Sequence, residues 1–353
     1  MKEKKPSLCA KSICYLMVAI SSYESFAFLY ICGVMAVFVW QIAINNTDVN
    51  FRDLFNEGLQ YAAILFAAMA AYYGLVCLVQ IATGQVGQFE RWTIWNNVDI
   101  GIWEKIRRVV ISIKDTFVEA VRIRYLPILV FCLFSVVGGT VSVWVAIRKK
   151  NPCILCCFAG LWIGNFLIHV CCGEFLARAA QTFCFFSAFV AWLVVEMAGS
   201  RRIVKSALIA GVGLLVFVQS ADMNRWFYSD YVRYKKEEFV IHTLATKLLA
   251  ECDVSKPVIF AHYPENGYLN TALYPGSQVI GKSMLYWSAT AFEDPLQPFA
   301  AEIFRMHGYD FILSPTQEQY YSAYQKAEGM PSWPKEGSLQ EFDDFIVVNF
   351  GKE

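Results

Sequence analysis

Long apolar runs with charges between them fill residues 1–219 of this chain, and give way to short periodic groups over residues 220–353. A hydrocarbon core about 30 Å thick needs roughly 20 apolar residues per helix. Residues 26–44, 61–82, 126–147, 153–172 and 182–198 meet or approach that length, and 207–218 extends into Gln219 and Ser220. Residues 9–20 make a shorter run with Lys11 near its start, preceded by Lys2, Lys4 and Lys5. A cleavable leader has that layout, but Ser21-Ser22-Tyr23-Glu24 supplies no small-x-small cleavage signal. Counted as a span, it brings the expected total to about seven, some of them short.

Lys/Arg bias in short loops sets orientation. Arg148-Lys149-Lys150 and Arg201-Arg202-Lys205 are the strongest clusters, with two spans between them. Both, and the basic N-terminus, are expected on the cytoplasmic side. The turn at 21–25, the loop at 84–125, the turn at 173–177 and everything after Ser220 then fall outside. The loop at 84–125 is too long for a simple connection. Its second half sets Ile102, Ile106, Val109, Val110, Ile113, Phe117 and Val121 at helical spacing, with Lys105, Arg107, Arg108, Lys114, Arg122 and Arg124 largely between them. That pattern predicts an amphipathic helix on the membrane surface, anchored by Trp92, Trp95 and Trp103. Lys105, Arg107 and Arg108, with Trp95 and Trp103, are the expected surface contacts. The alternative is a helix packed on the extracytoplasmic tail.

The tail has the charge and the short apolar runs of a soluble domain. A helix is expected over 231–252, a buried strand over 257–261, a second helix over 299–307 ended by Gly308, and a strand over 309–313. Thr316 followed three residues on by Gln319 opens a third helix over 316–328 with a capping-box pattern. A strand over 345–350 closes the chain. The fold expected is an all-α polytopic membrane region over 1–221 followed by a small extracytoplasmic α/β domain over 222–353.

Composition agrees: 57% of residues are hydrophobic and 17% charged, against about 25% charged in soluble domains. Disorder is excluded on hydrophobicity. No basic stripe accompanies the aromatics, so a nucleic-acid partner is not expected. The 30 basic and 30 acidic residues conceal an asymmetry, since residues 1–219 hold 19 basic and 12 acidic groups and residues 220–353 hold 11 and 18. Eleven of the 12 cysteines precede Ser220, among apolar neighbours, where a secreted disulfide framework would place them in the soluble part. Cys153, Cys156, Cys157, Cys171 and Cys172 invite a zinc reading, but Ile, Leu, Phe, Ala, Trp and Gly separate them rather than a polar knuckle. They read as small apolar side chains, and no metal is assigned. His169 reads as a hydrogen-bonded packing residue.

Several segments taken in order resemble one family. Ser21-Ser22-Tyr23-Glu24-Ser25-Phe26 enters a run containing Cys32-Gly33, and Asn224-Arg225-Trp226-Phe227-Tyr228-Ser229-Asp230-Tyr231-Val232-Arg233-Tyr234 follows the last run. Lys256-Pro257-Val258-Ile259-Phe260, Gly308-Tyr309, Pro315-Thr316-Gln317-Glu318-Gln319, Met330-Pro331-Ser332-Trp333-Pro334 and Gly337-Ser338 complete the series. Together they resemble the bacterial Gtr-type membrane glucosyltransferases, a GT-C-like group. The resemblance implies transfer of a glucosyl unit from a polyprenyl-phosphate donor to a cell-envelope glycan at the outer face. Such a donor brings no cytosolic nucleotide, which agrees with the lack of a G-x-G-x-x-G or G-x-x-x-x-G-K motif. No cofactor is evident, and a divalent metal stays open.

Transfer needs a carboxylate near the outer surface as base and a cation at headgroup depth. Family members carry an acidic pair in the first outer loop, whereas residues 1–219 have no Asp-Asp or Asp-Glu there. The chain is therefore expected to be an N-terminally shortened member. Asp343-Asp344 reads as a solvated strand entry. Glu24 becomes the catalytic candidate, beside Tyr23, or else a plain loop residue. Arg178 offers a fork for phosphate, with Glu174 four residues before it as a second contact or simply its ion-pair partner. Tyr23, Glu174 and Arg178 are thus the expected lipid-phosphate or sugar contacts. Glu196 reads as snorkelling at the inner end of its span. A transporter is disfavoured, because no internal repeat or midplane charge is visible. A non-enzymatic, membrane-anchored glycan- or partner-binding protein is the competing reading.

Overall fold

The computed structural model describes residues 6–23, 25–45, 50–83, 95, 100–122, 125–173, 181–264, 283, 285 and 299–351. It divides into two compact units, Met1–Gln219 and Ser220–Glu353. The described elements are predominantly helical, with a small sheet near the C-terminus.

The first unit contains α1 (Pro6–Ser22), α2 (Phe26–Ala43), α3 (Phe51–Thr83), α4 (Ile102–Arg122), α5 (Leu126–Lys149), α6 (Cys153–Gly164), α7 (Leu167–Cys172), α8 (Gln181–Met197) and the start of α9 (Arg202–Glu251). Among the described residues, α2, α3, α5 and α9 are long and apolar enough to cross a membrane. Leu8–Ser22, α6 and α8 are shorter apolar helices. Large side chains on α3 and on the apolar part of α9 point outward, with Ile81 81% and Ile203 87% exposed. A continuous apolar surface of that extent calls for a non-aqueous covering.

Packing within the unit is aromatic. Phe131 of α5 meets Phe183 and Phe186 of α8 at ring-centroid distances of 4.7 and 4.9 Å. Cys32 and Phe38 of α2 and Ile154 and Leu161 of α6 join them in one buried cluster. Two glycines permit the closest approaches. A Cβ at Gly138 would stand 2.6 Å from the Phe158 ring, and one at Gly164 would stand 2.8 Å from Cys32 Sγ. At the C-terminal ends of α2 and α5, Lys149 Nζ donates to the carbonyls of Ile42 (2.7 Å) and Ala43 (2.8 Å). A cation there satisfies carbonyls that the helix itself leaves free and opposes the negative end of its dipole.

The apolar run at 153–172 is not one helix. It breaks between α6 and α7 at Asn165 and Phe166, because the buried Asn165 amide turns back and donates to Leu161 O at 2.8 Å and Trp162 O at 3.2 Å. The run at 207–218 and the helix expected at 231–252 are both parts of the continuous α9.

The second unit holds the rest of α9, β1 (Val258–Ala261), α10 (Phe299–Met306), α11 (Gln317–Ala327), β2 (Leu339–Glu341) and β3 (Ile346–Asn349). The sheet order is β1-β3-β2. β3 runs parallel to β1, with Val258 opposite Ile346, and antiparallel to β2, with Leu339 opposite Val348. Every residue of β1 and β3 is buried, as expected for strands covered on both faces. Ile241, Leu244 and Leu248 of α9 and Phe304 of α10 cluster with Val258, Phe260, Ile346 and Val348. Ala323 and Ala327 of α11 cluster with Ile259, Ala261 and Val347 on the other face.

Thr316 and Gln319 form the expected capping box, with Gln319 N donating to Thr316 Oγ1 at 3.3 Å and Thr316 N to Gln319 Oε1 at 2.9 Å. Gly308 follows α10 in the left-handed region, at φ 86°. The strand expected over 309–313 does not form. That segment meets the sheet through Val258 N donating to Leu313 O (3.3 Å).

Candidate functional site

In the first unit the polar chemistry gathers where α4 meets α7. Ser112 Oγ lies 2.8 Å from Nδ1 of the fully buried His169. Trp95 Nε1 donates to Val170 O at 2.6 Å, and Lys105 Nζ donates to Trp95 O at 2.9 Å. These bonds pin the middle and start of α4 to α7 and fix its rotation. Ile113 and Phe117 turn inward, while Ile102, Ile106, Val110, Val121 and Trp103 remain exposed. The apolar stripe of α4 is therefore split, its ends exposed and its middle packed on the first unit's core.

The sequence-derived surface residues divide along this seam. Trp103 is fully presented, and Trp95 is partly exposed while its indole nitrogen is engaged. Arg107 and Arg108 are exposed and pair with Glu104 at 3.0 and 3.6 Å. Lys105 turns inward with a buried ammonium. Its seat on the Trp95 carbonyl makes it a fastener of α4 rather than a headgroup contact. Tyr23 is half-buried and packs edge-on to Phe26, with ring centroids 6.4 Å apart. Glu24, Glu174 and Arg178, and with them Trp92, lie outside the described residues. Glu196 bonds Lys205 at 3.2 Å.

An apolar groove of about 330 Å³ lies in the first unit between α5, α8 and the first part of α9. Val130, Phe134, Ala188, Trp192, Ile209 and Val216 line it, and Ser187 and Gln219 add polar groups. Small side chains on α8, at Ala188 and Ala191, leave this space open. Its chemistry suits a hydrocarbon chain.

In the second unit, one face of α9 buries polar groups in helical register. Ser229, Arg233 (4% exposed) and Glu237 (3% exposed) continue the line of Trp226 toward Ile241. Arg233 also bonds Asp230. Burying a guanidinium and a carboxylate one turn apart costs desolvation that apolar residues would avoid, so this stripe is a site candidate on energetic grounds. Sequence reasoning passed over it. The signal was available, since positions 226, 229, 233, 237, 241, 244 and 248 follow one 3–4 spacing that carries the core stripe back through the charges.

Among the described residues, no group of three or more His, Cys, Asp or Glu side chains is arranged to hold a metal ion. No protein-family model, curated protein or solved structure matches the chain.

Proposed function

We infer that this is a multi-pass membrane protein of the cell envelope with seven spans and an extracytoplasmic C-terminal domain. We infer further that it serves glucosyl transfer from a polyprenyl-phosphate donor to an envelope glycan. The seven-span alternation puts the ends of 26–44 and 126–147 on the cytoplasmic side and the loop at 84–125 outside with the end of 153–172. Three polar ties support it. Lys149 bonds the end of α2, Lys205 bonds Glu196, and Trp95 and Ser112 bond the α7 segment. Each tie joins segments that the alternation assigns to one side.

The observation that carries the transferase reading is the groove between α5, α8 and α9. A lipid-borne donor keeps its isoprenoid chain in hydrocarbon while its phosphate and sugar stand at headgroup depth. An apolar cleft among membrane helices meets the first need. In this reading Glu24 accepts the proton of the acceptor hydroxyl as its oxygen bonds the anomeric carbon. The anomeric carbon–oxygen bond to phosphate breaks as the new bond forms, and its electron pair leaves on the phosphate. Arg178, Glu174 and Tyr23 hold the phosphate and sugar.

Membranes containing the chain are expected to move radiolabelled glucose from polyprenyl-phosphate-glucose into envelope glycan. Glu24→Gln should lower the rate about 100-fold, the lower range for loss of a general base. Ala188→Trp, which fills the groove, should lower it with normal protein abundance. Absence of incorporation by the unaltered chain would sink the transferase reading. Glycan binding without incorporation would favour the non-enzymatic one.

A further inference from the structure

The outward side of α9 in the second unit carries chemistry that the proposed reaction does not use. Tyr231, Tyr234, Glu238 and His242 follow one another at three- and four-residue intervals, so they share a face. Tyr231 and Tyr234 are exposed. The end of α10 and the residues after it bring His307 and Tyr309 alongside. His242 Nδ1 lies 2.8 Å from Tyr309 Oη, and the two imidazole rings are 5.8 Å apart, edge to face. His307 Nδ1 sits 2.8 Å from the Ile303 carbonyl. A carbonyl only accepts, so Nδ1 is the donor, and Nε2 lies 3.5 Å from Tyr234 Oη.

The charge on this face cancels locally. Lys235 Nζ bonds Glu238 at 2.6 Å and stands 5.7 and 6.0 Å from the centres of the Tyr234 and Tyr231 rings. Among the described residues of this face no free cation remains for a phosphate or a uronic acid, and Glu238 is already satisfied. The surrounding residues 220–353 are net negative by seven, which repels polyanions, nucleic acids included. An apolar peptide would have to strip water from phenol, imidazole and carboxylate groups without replacing their hydrogen bonds. What remains complementary is an uncharged ligand with flat apolar faces and a dense edge of hydroxyls that both donate and accept.

We propose that the face formed by Tyr231, Tyr234, Glu238, His242, His307 and Tyr309 is a binding site for a neutral oligosaccharide. The tyrosine rings take the apolar faces of the sugar rings, and the imidazole and phenol groups take the hydroxyls. The site rests on the reading of the chain as one that handles envelope glycan, and it gives the acceptor strand a place on the second unit.

The test is saturation-transfer NMR on the full chain in lipid nanodiscs, with maltoheptaose and laminarihexaose as neutral probes and oligogalacturonate as the charged one. Saturation of at least one neutral probe and none of oligogalacturonate is expected. Tyr231→Ala with Tyr234→Ala, and separately His307→Ala, should each weaken the neutral signal at least fivefold, while Tyr321→Ala, an exposed tyrosine on α11 across the sheet from α9, should not. No transfer to either neutral probe, equal transfer to oligogalacturonate, or an undiminished signal in the tyrosine pair with native-like protease resistance would each overturn the site. The glucose-incorporation assay reports separately. Binding that follows these variants in a chain without incorporation keeps the site and removes the transferase reading, and incorporation with no neutral-sugar binding does the reverse.

Discussion

Asn349, the last residue of β3, shows how one buried amide organises the second unit. Its Nδ2 lies 3.1 Å from Ala327 O, 2.9 Å from Met330 O and 3.3 Å from Pro331 O, which are acceptors only. The amide orientation is therefore fixed, and Oδ1 receives Gly351 N and His262 Nδ1, both at 3.1 Å. Asn349→Ala should cost about 3 kcal/mol, since a deleted partner strands several groups at about 1–3 kcal/mol each with partial rescue by water. Denaturant titration of the full chain, read by protease resistance of the second unit, measures this, and an unchanged midpoint would contradict the account. Lys256 and Glu341 supply a pH-dependent clasp. Lys256 Nζ bonds Glu341 Oε1 at 2.6 Å and Phe342 O at 2.9 Å, and Asp253 N donates to Glu341 Oε2 at 2.8 Å. The Lys256 ammonium and then the Asp253 amide hold the Glu341 carboxyl below its ordinary range. The same hydrogen bond to Glu341 raises Lys256. A lowered acid stabilises above its unfolded value of about 4.3 and loses that stabilisation as pH falls through the folded value. A raised lysine loses its contribution as pH rises through its own folded value, above about 10.4. Melting of the second unit should hold steady between these limits and fall below pH about 4, with a smaller acid-side fall in Glu341→Gln. Thr316 and Gln319 were legible in the sequence because a capping box closes within four residues. Arg233 and Glu237 were only half legible, because their spacing continues the core stripe while charge in a linear pattern reads as solvated surface until the neighbours that bury it are known.

At the scale of elements, composition revealed the long helices and non-local pairing decided the rest. Runs such as 26–44 and 126–147 appear as α2 and α5 with small shifts at their ends. The α6–α7 break turned on a single asparagine finding its own preceding carbonyls, which an apolar run does not announce. β2 has one apolar residue in three, so only β3 beside it makes it a strand. Segment 309–313 has the residues of a strand but gains one sheet hydrogen bond, with Val258. Helix contacts in the first unit depend on missing side chains. Gly138→Ala would put a methyl group 2.6 Å from Phe158 and 3.1 Å from Val190, and relieving such overpacking costs about 1–3 kcal/mol. A lower melting temperature of the first unit in detergent is expected, larger for Gly138→Leu. The neighbouring Gly139, whose Cβ would stand 3.9 Å from Phe158, should accept alanine with little change, and equal losses at both positions would refute the packing argument.

For the whole chain, the opposite charges of residues 1–219 and 220–353 were the sequence's main statement about sidedness, and the proposed alternation is open to a direct test. Alkaline phosphatase fused after Glu353 should be active in the bacterial envelope, and the same enzyme fused after Lys150 or Ser200 should be silent. Activity at Lys150 would invert the proposed topology. Glu24, Glu174 and Arg178 are candidates on sequence alone, because turns between apolar runs mark themselves, and they lie outside the described residues. The sugar-facing side of α9 was not legible there, since His307 and Tyr309 stand more than sixty positions from His242 and Tyr234 and only the folded unit brings them together.

Lys149 also sets a clock. Its partners on α2 lie 107 and 106 positions earlier in the chain. At roughly 5–20 residues per second of synthesis, the end of α2 emerges on the order of 5–20 s before the ammonium that will cap it. Through that interval its last carbonyls must find lipid headgroups or water. The ammonium is thus a late fastening, closing the end of a helix made long before it only once α5 has arrived.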